Sequence, residues 1–455
     1  MKRLPSSRLR VAMIACALGA MYAAMPASGE DLIQIYREAQ QNDPTLAAAR
    51  AAWVATQEKV PQARSGLLPN VNATGSANLN DFHEKIHSND LPPDTPNPIN
   101  RDFRVGALGV SASQPLYRLQ NKVAYDQARQ QVSQADFQFS SVQQDLILRV
   151  AQAYFDVLLA EFNVDLAVSQ KAAVSENLAQ AKRNFEVGVA TITDTNEAQA
   201  KYDSIVAQEI SARNDLDNRR TALRAIIGRA PNSLKKLGAG FDPPLPSPNS
   251  PDYWVDRALA DNLAVRIAGY NFDIATLEVD RQKAGHYPTL DLVASYTAQY
   301  GTGATNLGSP FDLRQAQIGV ALNVPIYQGG FVDSKVREAI ALQDNARQNL
   351  EVARRSALFN AQTGFSGVTS AAASVTAFEQ ALKSAQVAYE SNRLGQEVGV
   401  RTNLDVLNTQ QNVFQTRRDL AQAYFNYLIG VLRLKSAIGT LSEQDLEEIN
   451  RRLQG

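Results

Sequence analysis

Cysteine is almost missing: Cys16 is the only one in 455 residues. With no thiol after it, the chain beyond residue 16 can form no intrachain disulfide and no thiolate metal site. Charge of one sign is missing too, since 45 Lys and Arg stand against 46 Asp and Glu. No basic stripe is present, which argues against a nucleic-acid partner. After residue 25 there is no apolar run of the roughly 20 residues that a membrane-crossing helix needs. The nearest candidate, 356–378, carries no charge but is full of Ser, Thr, Asn, Gln, Gly and Ala. That composition suits close helix packing better than lipid.

Catalytic signatures are equally scarce. GTGATNLG (301–308) lacks both the GxGxxG spacing and the lysine of a phosphate loop, and no GxSxG is present. No paired-carboxylate site can be singled out. HEKIH (83–87) is a literal HExxH, but zinc chemistry needs both histidines on one helix face and a third ligand. Here the motif follows an expected strand and runs into Pro92-Pro93-Asp94, and the only other histidine is His286. A solvent loop is expected there, with no enzyme, no metal and no cofactor.

What is present begins with an address. Lys2, Arg3, Arg8 and Arg10 precede an apolar run from Val11 to Met25, and small residues follow at 27–29. This reads as a signal peptide over 1–29. Its removal takes four positive and no negative charges, moving the formal net charge from −1 to −5. The apolar run continues past Cys16 through Leu18, Ala20 and Met21, which argues against a lipid anchor at that cysteine.

The remainder is written twice. FEVGVATITDTNEAQ (185–199) and QEVGVRTNLDVLNTQ (396–410) align at an offset of 211, agreeing at Gly188/Gly399, Thr191/Thr402 and Asp194/Asp405 among others. Gly188 and Gly399 suit helix C-termini, because glycine tolerates positive φ. Thr191-x-x-Asp194 and Thr402-x-x-Asp405 have capping-box spacing, so helix capping alone is one sufficient reason for both aspartates.

Around each turn the same order of elements is expected. The first repeat, 30–228, holds strands at about 68–80 and 103–114 and helices at about 119–186 and 193–228. A proline-rich linker, 229–252, leads to the second repeat, 253–439, with strands at about 288–300 and 313–324 and helices at about 331–394 and 402–439. A C-terminal segment, 440–455, follows. The strands show period two: Leu290, Leu292, Ala294, Tyr296, Ala298 and Tyr300 alternate with mostly polar residues. Polar loops are expected between them, at 80–101 and 301–312. Residues 123–185 contain neither proline nor glycine, with apolar or small residues every three or four positions. At about 1.5 Å per residue such a helix spans roughly 95 Å, deeper than any globular core.

The fold class is therefore mixed, mainly α, duplicated, with four strands and two long helical hairpins per chain. Four strands alone would leave two open edges in lipid, whereas barrels close with about eight or more. If these strands lie in a membrane, the barrel is shared between chains. A small periplasmic sheet is the alternative.

In order along the chain, DPTLAAAR, GLLPN, VGVATITD, PIYQGG, VGVRTNLDVL and NYLIGVLRLKSAIGTLSEQDL resemble the TolC family of outer-membrane efflux and secretion channels. The resemblance implies a homotrimer whose twelve strands form one transmembrane β-barrel in outer-membrane lipid above a twelve-helix periplasmic tunnel. It implies a gate at the turns, where an aspartate of the first bonds to an arginine and a tyrosine of the second. Asp194 matches that aspartate, Thr193 its neighbouring threonine and Arg401 the arginine, while Gln396 stands in place of the tyrosine. An acidic ring in the closed end is implied as well, with Asp405 matching its first member and Asn408 replacing its second. Such a duct has no energy source, so it implies a periplasmic adaptor and an inner-membrane ABC transporter or RND-type pump. Export of proteins, small molecules or both is the expected function. A periplasmic coiled-coil adaptor without a barrel and a zinc hydrolase are the rival readings.

Overall fold

The computed structural model describes residues 29–87, 98–238, 243–302 and 309–454. The signal peptide thus lies outside the described residues except for Gly29, as do 88–97 and 303–308 of the two expected strand-connecting loops. In chain order the elements are α1 (Leu32–Asn42), α2 (Pro44–Gln57), α3 (Lys59–Ser65), β1 (Asn70–Glu84), β2 (Ile99–Tyr117), α4 (Leu119–Glu186) and α5 (Ile192–Ile227). After β3 (Lys236–Leu237) come α6 (Pro251–Asp261), α7 (Leu263–Lys283), β4 (Thr289–Thr302), β5 (Phe311–Asn323), α8 (Phe331–Glu397), α9 (Asn403–Ala437), α10 (Glu443–Asn450) and β6 (Leu453–Gln454). Helices α4 and α8 have 68 and 67 residues. Each is about 100 Å long at the α-helical rise. No described helix is apolar enough to cross a membrane, and 356–378 lies within α8.

Two compact units are present, and neither coincides with a repeat. One holds the described residues up to Ala51 together with Gln138–Val265 and Ala353 onward; the other holds Ala52–Phe137 and Arg266–Val352. Each therefore draws on both halves of the duplication.

In the first unit the buried side chains of α4 lie on the face that the three-and-four spacing marks. Leu146, Val150 and Val157 of α4 are buried, as are Leu428, Leu432 and Leu434 of α9. Phe155 and Phe425 bring their rings to 5.6 Å. Tyr154 is fully buried, and its hydroxyl donates to the Lys235 carbonyl at 2.8 Å, which satisfies its one polar atom. The break at Asn42-Asp43-Pro44 is a cap: Asp43 accepts from the Leu46 amide at 3.0 Å and from Arg149 at 2.8 Å.

The second unit carries a four-stranded antiparallel sheet in the order β1-β2-β4-β5. Its register, with Val71 opposite Ala112, Val110 opposite Tyr296 and Ala294 opposite Ile318, sets one face from alternate residues of every strand. On that face Val71, Leu79, Leu108, Val110, Tyr296, Ile318, Val320 and Leu322 are all exposed, Leu79 at 80% and Ile318 at 77%. The opposite face carries Asn72, Thr74, Ser76, Ser111, Ser295, Thr297, Gln315 and Gln317. An exposed apolar face backed by a polar one is the reverse of a water-soluble sheet and matches a transmembrane barrel wall. Strands β1 and β5 are the free edges of this sheet among the described residues.

Three expectations about the strands change. β1 runs on to Glu84 and β2 starts at Ile99, so the expected loop 80–101 is shortened from both sides. Polar residues hid the extension: Asn80, Asp81, His83 and Glu84 pair with Phe103, Asp102, Asn100 and Ile99 through backbone groups, for which side-chain polarity is no obstacle. β2 also continues to Tyr117, three residues past the expected end, and there the ladder shifts register between Pro115 and Tyr117. Proline has no amide hydrogen to give the ladder. The Arg118 guanidinium then holds the transition by donating to both carboxylate oxygens of Asp291, at 2.8 and 2.6 Å.

Candidate functional site

The two turns are built by the same local chemistry. At the end of α4 the Gly188 amide donates to Phe185 O at 3.0 Å and the Val189 amide to Asn184 O at 2.9 Å. At the end of α8 the Gly399 amide donates to Gln396 O at 3.0 Å and Val400 to Gly395 O at 2.8 Å. These paired bonds form a Schellman motif, which requires a left-handed residue at its centre. Gly188 and Gly399 both supply it with φ of 78°.

Each returning helix then starts with a reciprocal cap. Thr191 Oγ1 accepts from the Asp194 amide at 3.2 Å, and Asp194 Oδ2 accepts from the Thr191 amide at 2.9 Å. Thr402 and Asp405 repeat this at 3.2 and 3.1 Å. Capping thus engages Oδ2 of both aspartates. Oδ1 of each has no hydrogen bond among the described residues.

The side chains laid on this frame differ. Within one chain the structure brings Asp194 into no bond with Arg401, Thr193 or Gln396, and Arg401 has no ion pair among the described residues. Gln396 instead donates to Asn403 Oδ1 at 3.2 Å, within its own turn. Thr193 and Asn408 are exposed. The Asp405 carboxyl is held below the usual carboxylate range, first by the Thr402 backbone amide, then by the Thr402 hydroxyl, with Arg401 adding a nearby positive charge. Two residues escaped the sequence reading: Asn403, which the alignment pairs with Ile192, and Gly395. A Cβ at Gly395 would stand 2.7 Å from Arg401 Cγ, so glycine makes room for the arginine stem. The only sequence signal for either was its departure from the aligned residue in the other turn.

Both tips present apolar side chains to solvent: Val187, Val189, Val398 and Val400 are each more than 65% exposed. Beneath the first tip, Leu178, Ala181 and Ala198 pack together with Tyr202 against them.

The HExxH residues do not assemble a metal site. His83 and Glu84 lie in β1 rather than on a helix, and His83 contacts Asp81 at 3.2 Å and Asn100 at 2.5 Å. His286 sits 3.4 Å from Asp333. Among the described residues no group of three or more potential ligands could hold a metal ion.

Comparison with known proteins agrees with this architecture. A family model described as "Outer membrane efflux protein" matches twice, over 35–229 and 254–440. The chain is 35% identical to the outer membrane protein TolC of Vibrio cholerae, covering 97% of both chains. It is 30% identical to the proteases secretion protein PrtF of Dickeya chrysanthemi, over 92% of this chain and 90% of that one. Among solved structures, the outer membrane protein VceC of Vibrio cholerae superposes with a TM-score of 0.74 at 20% identity, over 90% of this chain and 96% of that one. The double match falls on the two repeats, and near-complete coverage at this identity leaves one conclusion: the chain belongs to the outer membrane efflux protein family.

Proposed function

We propose that this chain is one third of an outer-membrane export duct, the exit component of a type I secretion or tripartite efflux system. The carrying observation is the two-faced sheet. Its exposed apolar face suits lipid, its polar face suits a water-filled lumen, and its free edges β1 and β5 need partners that a second copy supplies. Three copies give twelve strands, enough to close a barrel, with α4, α5, α8 and α9 of each copy forming the periplasmic conduit. Similarity to a protease secretion protein favours polypeptide cargo, and the family description, outer membrane efflux protein, extends the reading to efflux.

The gate belongs to the same proposal. Asp194 keeps Oδ1 available beyond its cap and Arg401 has no ion pair among the described residues, so the two are free to pair across the closed assembly. An exposed pair of this kind contributes about 0.2–1 kcal/mol, suited to a latch that a partner releases. Gln396, bonded to Asn403, would give that latch one contact fewer than a tyrosine. Asp405 from each copy forms the constriction ring, and Asn408 adds no charge to it. The exposed valine tips are an apolar surface for a periplasmic adaptor, which links the duct to an inner-membrane ABC transporter or RND-type pump.

The test is conductance in planar bilayers, paired with two substitutions in β5. Ile318→Arg places charge on the apolar face at a cost of about 2–4 kcal/mol at mid-membrane, and abolishes insertion, whereas Gln317→Arg on the polar face inserts and shifts ion selectivity. Equal behaviour of the two variants refutes the barrel. Asp194→Ala and Arg401→Ala each raise conductance, and Asp405→Ala lowers cation preference; unchanged conductance in both latch variants removes the latch.

A further inference from the structure

The two faces of the four-stranded sheet exchange character toward the end away from the helices. Near the helices the polar face is set by Asn72, Ser111, Ser295 and Gln317, which the register places in one row across the strands. Six residues further along each strand the row on that same face is Asn78, Val105, Gly301 and Phe311. Leu313 lies one row before it, and Phe103 and then Phe82 lie in the rows beyond. The outer face changes in the opposite sense, from Val71, Val110 and Tyr296 to the exposed charges of Asp81, Asp102, Arg104 and Asp312.

Strand length explains the outer change. A tilted strand crosses lipid in about 9–11 residues, whereas β1 and β2 have 15 and 19. The surplus stands beyond the apolar belt, where charge on the outside faces water. The inner change has no such reason, because a water-filled lumen favours polar lining. Leu313 and Phe82 are 50% and 43% exposed, so neither is buried within its own chain. Phe311 is placed by a glycine: a Cβ at Gly301 would collide with its ring, so the ring lies over the neighbouring strand instead of projecting inward.

We infer that Phe82, Phe103, Val105, Phe311 and Leu313, repeated in three copies, form an apolar collar inside the extracellular mouth, and that it contacts aromatic and aliphatic side chains of an unfolded polypeptide on its way out. The inference rests on the barrel and the polypeptide cargo proposed above. Its occupant follows from two features. A barrel of about eight strands is just filled by its own side chains, so twelve leave an open lumen, and with Phe311 laid along the wall the collar does not close on itself. Its apolar rows stand two residues apart, about 6.6 Å, which is the spacing of same-side residues in an extended chain. From Leu313 to Phe82 they cover about 20 Å along the strands at that spacing, longer than a small molecule and suited to a chain drawn out along its length.

The experiment is planar-bilayer recording of the purified full chain with an unfolded peptide in both chambers. One peptide carries spaced phenylalanines, and the other has serine in their place at equal length and charge. The phenylalanine peptide blocks the current for about tenfold longer, as partial burial of its rings entails. Phe103→Ser, Phe311→Ser and Leu313→Ser combined bring the two peptides within about twofold of each other, and Leu313→Ser alone narrows the difference. A conducting parent that releases both peptides at the same rate overturns the collar without relying on any variant's folding. A full difference retained in the combined variant overturns it as well. A parent that never conducts overturns the barrel reading, and the collar with it.

Discussion

At the first turn Thr191 enters its helix at φ −87° and ψ 159°, and at the second Thr402 does so at φ −88° and ψ 160°. The backbone has been copied to within a degree. The side chains have not: at the offset of 211, Phe185, Ala190, Ile192 and Glu197 of the first turn face Gln396, Arg401, Asn403 and Asn408 of the second. The shared residues, Gly, Thr and Asp, are those whose backbone bonds make the reversal possible. The divergent ones add a polar amide pair and a cation on one side only. Duplication therefore preserved what builds a turn and freed what a turn can hold, and the side-chain chemistry of the two turns differs within each chain.

The largest expected effect tests the shared frame. Gly188→Val and Gly399→Val each force a β-branched residue to positive φ, at a cost of about 1–3 kcal/mol. Amide exchange at each turn should report equal losses of local stability; a clear inequality would break the equivalence of the two backbones. Next come the caps, where Thr191→Ala and Thr402→Ala should each cost about 1 kcal/mol by the same readout. A smaller, one-sided effect belongs to Gln396→Ala, which removes the bond to Asn403 and should destabilise the second turn by about 0.5 kcal/mol, the low end for a half-exposed hydrogen bond. The matching Phe185→Ala changes no such bond, so its turn amides should exchange at the parental rate.

The smallest effect is a pH dependence. The folded Asp405 carboxyl lies below its ordinary value of 3.8. Its stabilisation of the second turn is then complete above that value and is lost as pH falls through the lower, folded one. The exchange difference between the parent and Asp405→Asn should be constant near neutrality and shrink in acid; a difference that grows on acidification contradicts the sign.

Much of this was legible in the residue pattern. Helix α4 was marked by the absence of proline and glycine and by an apolar spacing of three to four, and it spans Leu119–Glu186 where about 119–186 was expected. Helix α8 runs three residues past the expected 394, to Glu397, because its last turn is polar and carries no periodicity to read. The strands were recognised by alternation and lost where alternation stopped: at 80–84 the ladder runs through backbone groups whatever the side chain. HExxH shows the converse failure, since four residues bring two histidines close together only on a helix; a strand's rise of about 3.3 Å per residue separates such a pair by roughly 13 Å, and β1 ends at Glu84, before His87.

Local chemistry by itself determined the turns, the caps, the long helices and the duplication, because each depends on residues within a few positions of one another. It also marked which strand residues would be apolar. The tertiary structure decided how the halves combine: β2 pairs with β4 across the repeats, and both compact units mix the two copies. It decided as well that residues from α4, α5 and α9, among them Asn163, Ser211 and Phe414, line one cleft. Pairing and cavity formation depend on which surfaces exclude water together, and that is a property of the folded chain rather than of any short stretch of it.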